Sequence, residues 1–198
     1  MEQTPTGVLQ AAANWAWLIP EVRFGHVVYV GPSDSSVPGS LHLLFDRVTE
    51  LSGKGLAPVM NGAIGPVDVA YLDLAFMARA GLRLGPLVPT LRRVLGGGGH
   101  LCLASGCESG SLRARMRALW RLRVAARRAG LGGFRDFHRY YAHPDLRAPR
   151  VFLPGCGRLA AAVEQMSEPA PNRTVRLVMA RCGLHGLLYR GHLGLCSA

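Results

Sequence analysis

The chain has 198 residues, of which 49% are hydrophobic and 18% charged, with 23 basic against 12 acidic side chains and a formal net charge of +11. This length suits one domain, since a single core is usually complete within ~100–200 residues. The apolar content excludes a disordered tail or a highly charged coiled coil, because enough apolar surface is available to offset the entropy of ordering.

Short apolar runs bounded by glycine or polar turns predict buried strands, and three less apolar segments, Arg47–Leu51, 134–141 and 150–153, are further strand candidates. In chain order, the predicted strands are His26–Val30, Arg47–Leu51, and residues 67–74, 100–104, 134–141 and 150–153. The first of them is rich in β-branched residues, which is typical of a strand buried on both faces.

The hydrophobic spacing between these strands favours helices. The predicted helical segments are residues 15–19, a stretch through Leu41, Leu44 and Phe45, residues 86–95, and residues 111–129. Glycines 96–99 end the third segment because glycine has low helix propensity, and Ser111 can cap the last one. Strands that alternate with helices predict an α/β fold with a doubly wound, mostly parallel sheet and helices on both faces.

The basic character is confined to one part of the chain. Residues 1–78 hold three basic against seven acidic side chains, whereas residues 111–150 hold eleven arginines against two aspartates. The arginine-rich helix 111–129 either presents a solvated face or binds an acidic partner, with a protein partner as the open alternative. We do not expect nucleic acid there, because no aromatic interleaving supports base stacking.

We expect no membrane span, no metal and a cytoplasmic location. The apolar stretch at 8–20 is too short for a span, and arginines interrupt 175–196. Five cysteines, an odd number, favour reduced thiols in a cytoplasm. A zinc-like set of thiols and imidazoles is present near the C-terminus, but its leucine-rich context suits packing better than a closed ligand shell. Its members are Cys182, His185, His192 and Cys196.

The order of these parts resembles the class I S-adenosylmethionine-dependent methyltransferases, over roughly residues 22–196. The segment VDVAYLDLAF resembles the family's fourth strand, and LGPLVPTLRRVLGGGGHLCLAS resembles its next helix, glycine turn and fifth strand. AGLGGFRDFHRYYAHPDLRAPRVFLPG resembles its late hairpin, and VMARCGLHGLLYRGHLGLCSA the closing arm of some bacterial members. The resemblance implies one methyltransferase-like domain over 1–198, with a helical lead-in at 1–24 and a C-terminal arm at 172–198 packed on the sheet.

The resemblance also implies S-adenosylmethionine as the cofactor, held by the turn after the first strand. Gly31 matches the first glycine of the family's glycine-rich loop, while Ser33 and Ser35 stand where the next two would fall. Tyr29 replaces the acidic residue that usually lies two positions before that glycine. Glu50 lies about where an acidic side chain grips both ribose hydroxyls.

Two further cofactor features follow from the resemblance. Asp73, after the fourth strand, is expected to line the cofactor site near the exit of the methyl group. Only 17 residues separate Glu50 from Asp68, where the family fits a helix and a third strand. We therefore expect one βα unit to be lost or shortened, since such a connection needs at least ~10–12 residues by itself.

On the acceptor side, Tyr140 and His143 are the candidate catalytic residues, with the histidine as general base. Half-burial along a strand explains such an alternation of aromatic side chains equally well. The expected function is methyl transfer to a small-molecule or peptide nucleophile in biosynthesis. The alternative is an inactive methyltransferase-like protein that serves as a binding or scaffold partner in a biosynthetic complex.

Overall fold

The computed structural model describes residues 14–19, 25–51, 64–106, 111–128, 130, 133–140, 151–154, 175, 178–179, 181–182, 184, 187 and 191–197. Its strands are β1 His26–Val30, β2 Arg47–Leu51, β3 Val67–Asp73, β4 Leu95–Gly106, β5 Arg135–Tyr140, β6 Val151–Pro154 and β7 Gly191–Ser197. Its α-helices are α1 Ser36–Leu41, α2 Leu74–Arg79, α3 Leu84–Val94 and α4 Leu112–Arg128, preceded by a 3₁₀ helix at Asn14–Leu18.

These strands form one sheet in the order β2-β1-β3-β4-β7-β5-β6. Strands β2, β1, β3 and β4 pair in parallel. Strand β7 is antiparallel to both β4 and β5, and β6 is antiparallel to β5. The predicted α/β class and mostly parallel sheet are confirmed, and the predicted late hairpin is the β5–β6 pair.

Alternate residues of the central strands point to opposite faces of the sheet and create two cores. One core joins Val28, Ala70 and Leu103 to buried residues of α2, α3 and α4. The other joins Tyr29, Tyr71, Cys102 and Leu193 to Trp15 of the 3₁₀ helix and to Leu41 of α1. Because both faces are covered, the central strands are mostly apolar, and β1 is buried at all five residues, as the sequence predicted for it.

Helix α2 was not predicted, and the strand assigned to 67–74 ends one residue early. Asp73 terminates β3 and caps α2, since its Oδ1 accepts hydrogen bonds from the N–H groups of Ala75 and Phe76, both at 2.8 Å. Leu74 is the first residue of the helix. The strand pattern continued into Leu74 because one apolar residue fits either structure.

The glycines at 96–99 belong to β4 and do not form a separate turn before it. The pairing register with β3 shifts between Val67, opposite Leu95, and Val69, opposite His100. Gly98 has φ of +93°, a conformation that other residues rarely adopt. Helix α3 still ends directly before this run, at Val94.

Helix α4 begins where the sequence predicted, because Ser111 Oγ accepts a hydrogen bond from the Ala114 N–H at 3.3 Å. The first helix is shorter than predicted, ending at Leu41, and residues 42–44 form turns. Within the described part of the chain, no helix combines the length and the apolar character needed to cross a membrane.

Candidate functional site

The order in which successive strands are added to the sheet reverses at β1. From β1 the chain proceeds to β2 on one side, and it then returns to form β3 on the other side. In open parallel sheets such a switch leaves a crevice at the carboxyl ends of the two strands, and ligands bind there. The candidate site is therefore the carboxyl edge of β1 and β3, extended by the end of β2.

All five residues predicted to bind a cofactor lie at this edge. Gly31, Ser33 and Ser35 belong to the loop that follows β1, Glu50 is the fourth of the five residues of β2, and Asp73 is the last residue of β3. The topology, and not proximity in the sequence, brings them together.

Tyr29 holds the loop after β1 in place through a chain of hydrogen bonds. Its buried hydroxyl donates to the carbonyl oxygen of Pro32 at 3.2 Å and lies 2.8 Å from Ser35 Oγ. Ser35 Oγ in turn accepts from the Val37 N–H at 3.3 Å and so caps α1. With Ser35 donating to the phenol oxygen, all three groups are satisfied. The Ser35 side chain is thus engaged by Tyr29, while Ser33 is exposed.

Gly31 has a local structural reason to be glycine. A methyl group built on its Cα would overlap the hydroxyl and ring of Tyr29. A residue with a side chain at this position would therefore displace the phenol that holds the loop. The match of Gly31 to the family's first glycine coincides with this packing requirement.

Three carboxylates of this edge act on the buried hydroxyl of Tyr29. Burial raises the pKa of Tyr29 to about 12; the hydrogen bond from Ser35 acts in the opposite direction, and the charges of Asp73, Glu50 and Asp34 raise it further. The three carboxylates thus act on one point of the crevice. In a chain of net charge +11, this edge is a locally acidic place.

Glu50 is accessible to a ligand. Its side chain is 37% exposed, and its Oε1 lies 3.4 Å from Nε2 of His42, which is itself exposed just after α1. The carboxylate therefore keeps acceptor capacity toward solvent. Asp73 has less free acceptor capacity than Glu50, since its Oδ1 already accepts two backbone hydrogen bonds.

Of the two residues predicted on the acceptor side, only Tyr140 lies among the described residues. Tyr140 is the last residue of β5, at the same edge of the sheet as Asp73, but it lies three interstrand spacings across the sheet, roughly 14 Å, and three residues beyond the level of Asp73. His143 lies outside the described residues. The role of both residues stays a prediction.

A pair of buried histidines lies next to this edge. His138 on β5 and His192 on β7 are opposite each other in the register, and their Nδ1 atoms are 3.1 Å apart. The rings meet edge to face, with centroids 5.1 Å apart. A hydrogen bond between these two atoms requires a proton on one Nδ1 and a free lone pair on the other.

The candidate zinc ligands on β7 cannot share one ion. His192 and Cys196 are four residues apart on one strand, which separates them by roughly 13 Å. His185 lies outside the described residues. Among the described residues, no group of three or more His, Cys, Asp or Glu side chains is arranged to hold a metal.

One solved structure establishes what this architecture is. A S-adenosylmethionine-dependent methyltransferase from Archaeoglobus fulgidus aligns with 98% of this chain and 95% of its own, with a TM-score of 0.54 and 8% sequence identity. The chain has the class I methyltransferase fold. At so low an identity the likeness extends to the fold alone.

Two other solved structures align with the methyltransferase-fold chain at lower TM-scores. The alignment with a precorrin 8W decarboxylase from Methanobacterium thermoautotrophicum includes 100% of this chain and 93% of the decarboxylase chain. The sequence identity is 12% and the TM-score is 0.42. The alignment with a phosphoethanolamine N-methyltransferase from Haemonchus contortus, in complex with S-adenosylhomocysteine, includes 95% of this chain and 52% of the other chain. The sequence identity is 12% and the TM-score is 0.43. No protein-family model matches the sequence, and no curated protein matches it either.

Sequence reasoning missed three features of this methyltransferase-fold site. Tyr29 differs from the acidic residue that the resemblance implies, but its role in holding the loop depends on its contact with Ser35, which the sequence does not indicate. His42 and Asp34 carry no motif that distinguishes them. The His138–His192 pair could have been found only from the register of β5 against β7.

Proposed function

We propose that this protein is an S-adenosylmethionine-dependent methyltransferase that acts on a small-molecule or peptide nucleophile. The observation that carries the proposal is the placement of three carboxylates at the switch point: Asp34 in the loop after β1, Glu50 near the end of β2 and Asp73 at the end of β3. A sulfonium cofactor is cationic, and an acidic crevice in an otherwise basic protein attracts such a ligand.

The residues present fit this cofactor at its ribose end. Glu50 is accessible at the end of β2, where a carboxylate can accept hydrogen bonds from both ribose hydroxyls. Gly31 and the exposed Ser33 offer the backbone and one hydroxyl of the loop, and Asp73 adds a charge at the end of β3. When bound, the cofactor supplies an electrophilic methyl group on sulfur.

The chain's own contribution would be mainly orientation. Methyl transfer needs the nucleophile in line with the departing sulfur, so positioning accounts for much of the rate. Tyr140 lies at the same edge, and we propose that it and His143 line the acceptor side. His143 would take the proton that an amine or hydroxyl nucleophile loses.

Calorimetric titration with S-adenosylmethionine and S-adenosylhomocysteine tests the proposal. We expect binding that Glu50→Ala weakens at least tenfold, corresponding to about 1.4 kcal/mol. Asp46→Ala is the matched control, because Asp46 is also exposed but lies just before β2, at the opposite edge of the sheet. Binding that is tight and unchanged in Glu50→Ala would place the cofactor elsewhere.

A specific observation favours the alternative of an inactive scaffold protein. The loop satisfies its own hydrogen bonds through Tyr29 and Ser35, and serines replace two glycines that let a cofactor approach the backbone. Absence of any heat of binding at millimolar cofactor, with the protein folded by circular dichroism, would support this alternative and reject the enzyme.

A further inference from the structure

Helix α4 carries large apolar side chains on the side that does not pack on the sheet. Its buried face consists of Ala118, Leu119, Leu122 and Ala126. Leu112, Met116 and Trp120 are instead 58%, 51% and 68% exposed. Packing against the described residues therefore does not explain why three large apolar side chains recur at one spacing on this side of the helix.

The three exposed residues form a ridge. They follow one another at intervals of four, so they lie in a single row about 12 Å long on the helix surface. Rows of this spacing are the ridges that fit into grooves when one helix packs against another. We call Leu112, Met116 and Trp120 the α4 ridge.

Arginines border the α4 ridge along one side and beyond its C-terminal end. Arg113 and Arg117 form the next row along the helix, and Arg123 and Arg127, seven residues after Met116 and Trp120, continue the face of the ridge; all four are exposed. Helix α4 contains no acidic residue. Of these four, Arg123 contacts Asp136 at 3.3 Å.

From this arrangement we infer that the α4 ridge docks an acidic amphipathic helix of another protein. The partner helix presents apolar side chains to Leu112, Met116 and Trp120, and glutamates or aspartates on its flanks face the arginines. Tryptophan, methionine and arginine are the residue types enriched in protein interfaces. Charge complementarity fixes the sign of the partner.

Other occupants fit the surface less well. A bilayer suits a helix whose apolar and basic faces are segregated, whereas here arginines interleave with the apolar residues. A single tryptophan is a poor platform for successive bases of single-stranded RNA. None of the described helices combines exposed apolar residues with acidic flanks, so none of them in a second copy complements the ridge.

Fluorescence anisotropy with synthetic peptides and the full chain tests the inference. The probe is a labelled helical peptide as long as α4, with leucines at four-residue intervals flanked by glutamates; its companion has glutamine in place of each glutamate. We expect the glutamate peptide to bind at least tenfold tighter than the glutamine peptide at low salt, with the difference shrinking as salt is raised.

Two variants and two controls locate the binding on the α4 ridge. Trp120→Ala should weaken the glutamate peptide about 30-fold, as for a central interface tryptophan, whereas Leu43→Ala, at another exposed apolar residue, should leave it unchanged. The double reversal R113E/R117E should weaken it at least tenfold. R79E/R83E makes the same change of charge at exposed arginines on and beside α2 and should have less than a twofold effect.

Three outcomes overturn the inference. The first is equal binding of both peptides. The second is equal loss in R113E/R117E and R79E/R83E, which would show a diffuse effect of net charge. The third is preference for vesicles of phosphatidylcholine and phosphatidylserine, or for poly(U), with no binding of the glutamate peptide. Because all substituted side chains are exposed, circular dichroism should show each variant folded.

Discussion

The hydroxyl of Tyr29 lies 2.8 Å from Ser35 Oγ, six residues further along the chain. This contact joins the end of β1 to the start of α1 and fixes the loop between them. The resemblance to class I methyltransferases implies an acidic residue at the position of Tyr29. Here a neutral phenol holds the loop, so its shape does not depend on a charged group below it.

We expect Tyr29→Phe to lower the free energy of unfolding by about 1–2 kcal/mol, because the hydrogen bonds to Pro32 and Ser35 are lost while the ring remains. Urea denaturation of the variant and the parent measures the difference. Ser33→Ala changes an exposed hydroxyl of the same loop and should stay within about 0.5 kcal/mol of the parent. Equal stability of Tyr29→Phe and the parent would contradict the bracing role.

The protein should lose stability in alkali through Tyr29. Its pKa is raised from 10.0 to about 12 in the folded state, so above pH 10 the unfolded chain loses this proton first and unfolding becomes easier as pH rises to 12. Below pH 10 the full contribution is present. The shift corresponds to roughly 3 kcal/mol across this window. Tyr29→Phe should lack that part of the pH dependence, which denaturation at several pH values can measure.

How much of this site the sequence could predict depends on the range of the interactions involved. The strand bounds of β1 and β2 were predicted correctly, β1 because it is a short apolar run rich in β-branched residues and β2 because Val48 and Thr49 favour a strand between turn residues. The positions of Glu50 and Asp73 at one edge followed from the parallel fold. The contact between Tyr29 and Ser35 could not be predicted, since neither the residue types nor their six-residue spacing indicates that the two side chains meet.

Asp73 has a structural and a proposed binding role, which two substitutions can separate. Asp73→Ala should cost about 1 kcal/mol of stability, because α2 loses its cap. Asp73→Ser keeps a capping oxygen and should restore most of that stability. If the charge of Asp73 holds the cofactor, both variants should bind S-adenosylmethionine about tenfold more weakly. Recovery of binding in Asp73→Ser would show that capping alone mattered.

Gly194 of β7 should tolerate no side chain. A methyl group there would overlap the ring of Phe134 and approach Leu122 Cδ1 to 3.1 Å. We expect Gly194→Ala to destabilise by about 1–3 kcal/mol, as overpacked cores do. Gly85→Ala is the control: it lies within α3 with nothing near its side-chain position, so it should stabilise by up to about 1 kcal/mol. Thermal unfolding with opposite shifts in melting temperature would verify both.

The paired rings of His138 and His192 should be energetically coupled. A double-mutant cycle with His138→Ala and His192→Ala should give an interaction free energy of about 1 kcal/mol or more, because the rings share a hydrogen bond in the core. Chemical denaturation of the four proteins yields this value. Strict additivity of the two single effects would argue against the observed contact.

The remaining misses also have physical causes. The sequence predicts a strand at Leu74 because its apolar side chain is compatible with either structure. The helix begins there because the Asp73 carboxylate accepts hydrogen bonds from the N–H groups of Ala75 and Phe76. The glycines at 96–99 are favourable for a turn by local propensity, yet pairing with β3 draws them into β4. In each case a contact between residues overrode the preference of one segment.

The place of β7 has a consequence for the way the chain folds. Residues 191–197 follow β5 and β6 in the chain but lie between β4 and β5 in the sheet. While the polypeptide emerges from the ribosome, β5 and β6 can pair only with each other until residue 197 has been synthesised. Such long-range closure is slow and leaves unpaired edges exposed to aggregation. The nascent chain therefore gains most from chaperone protection between the synthesis of β4 and that of its last strand.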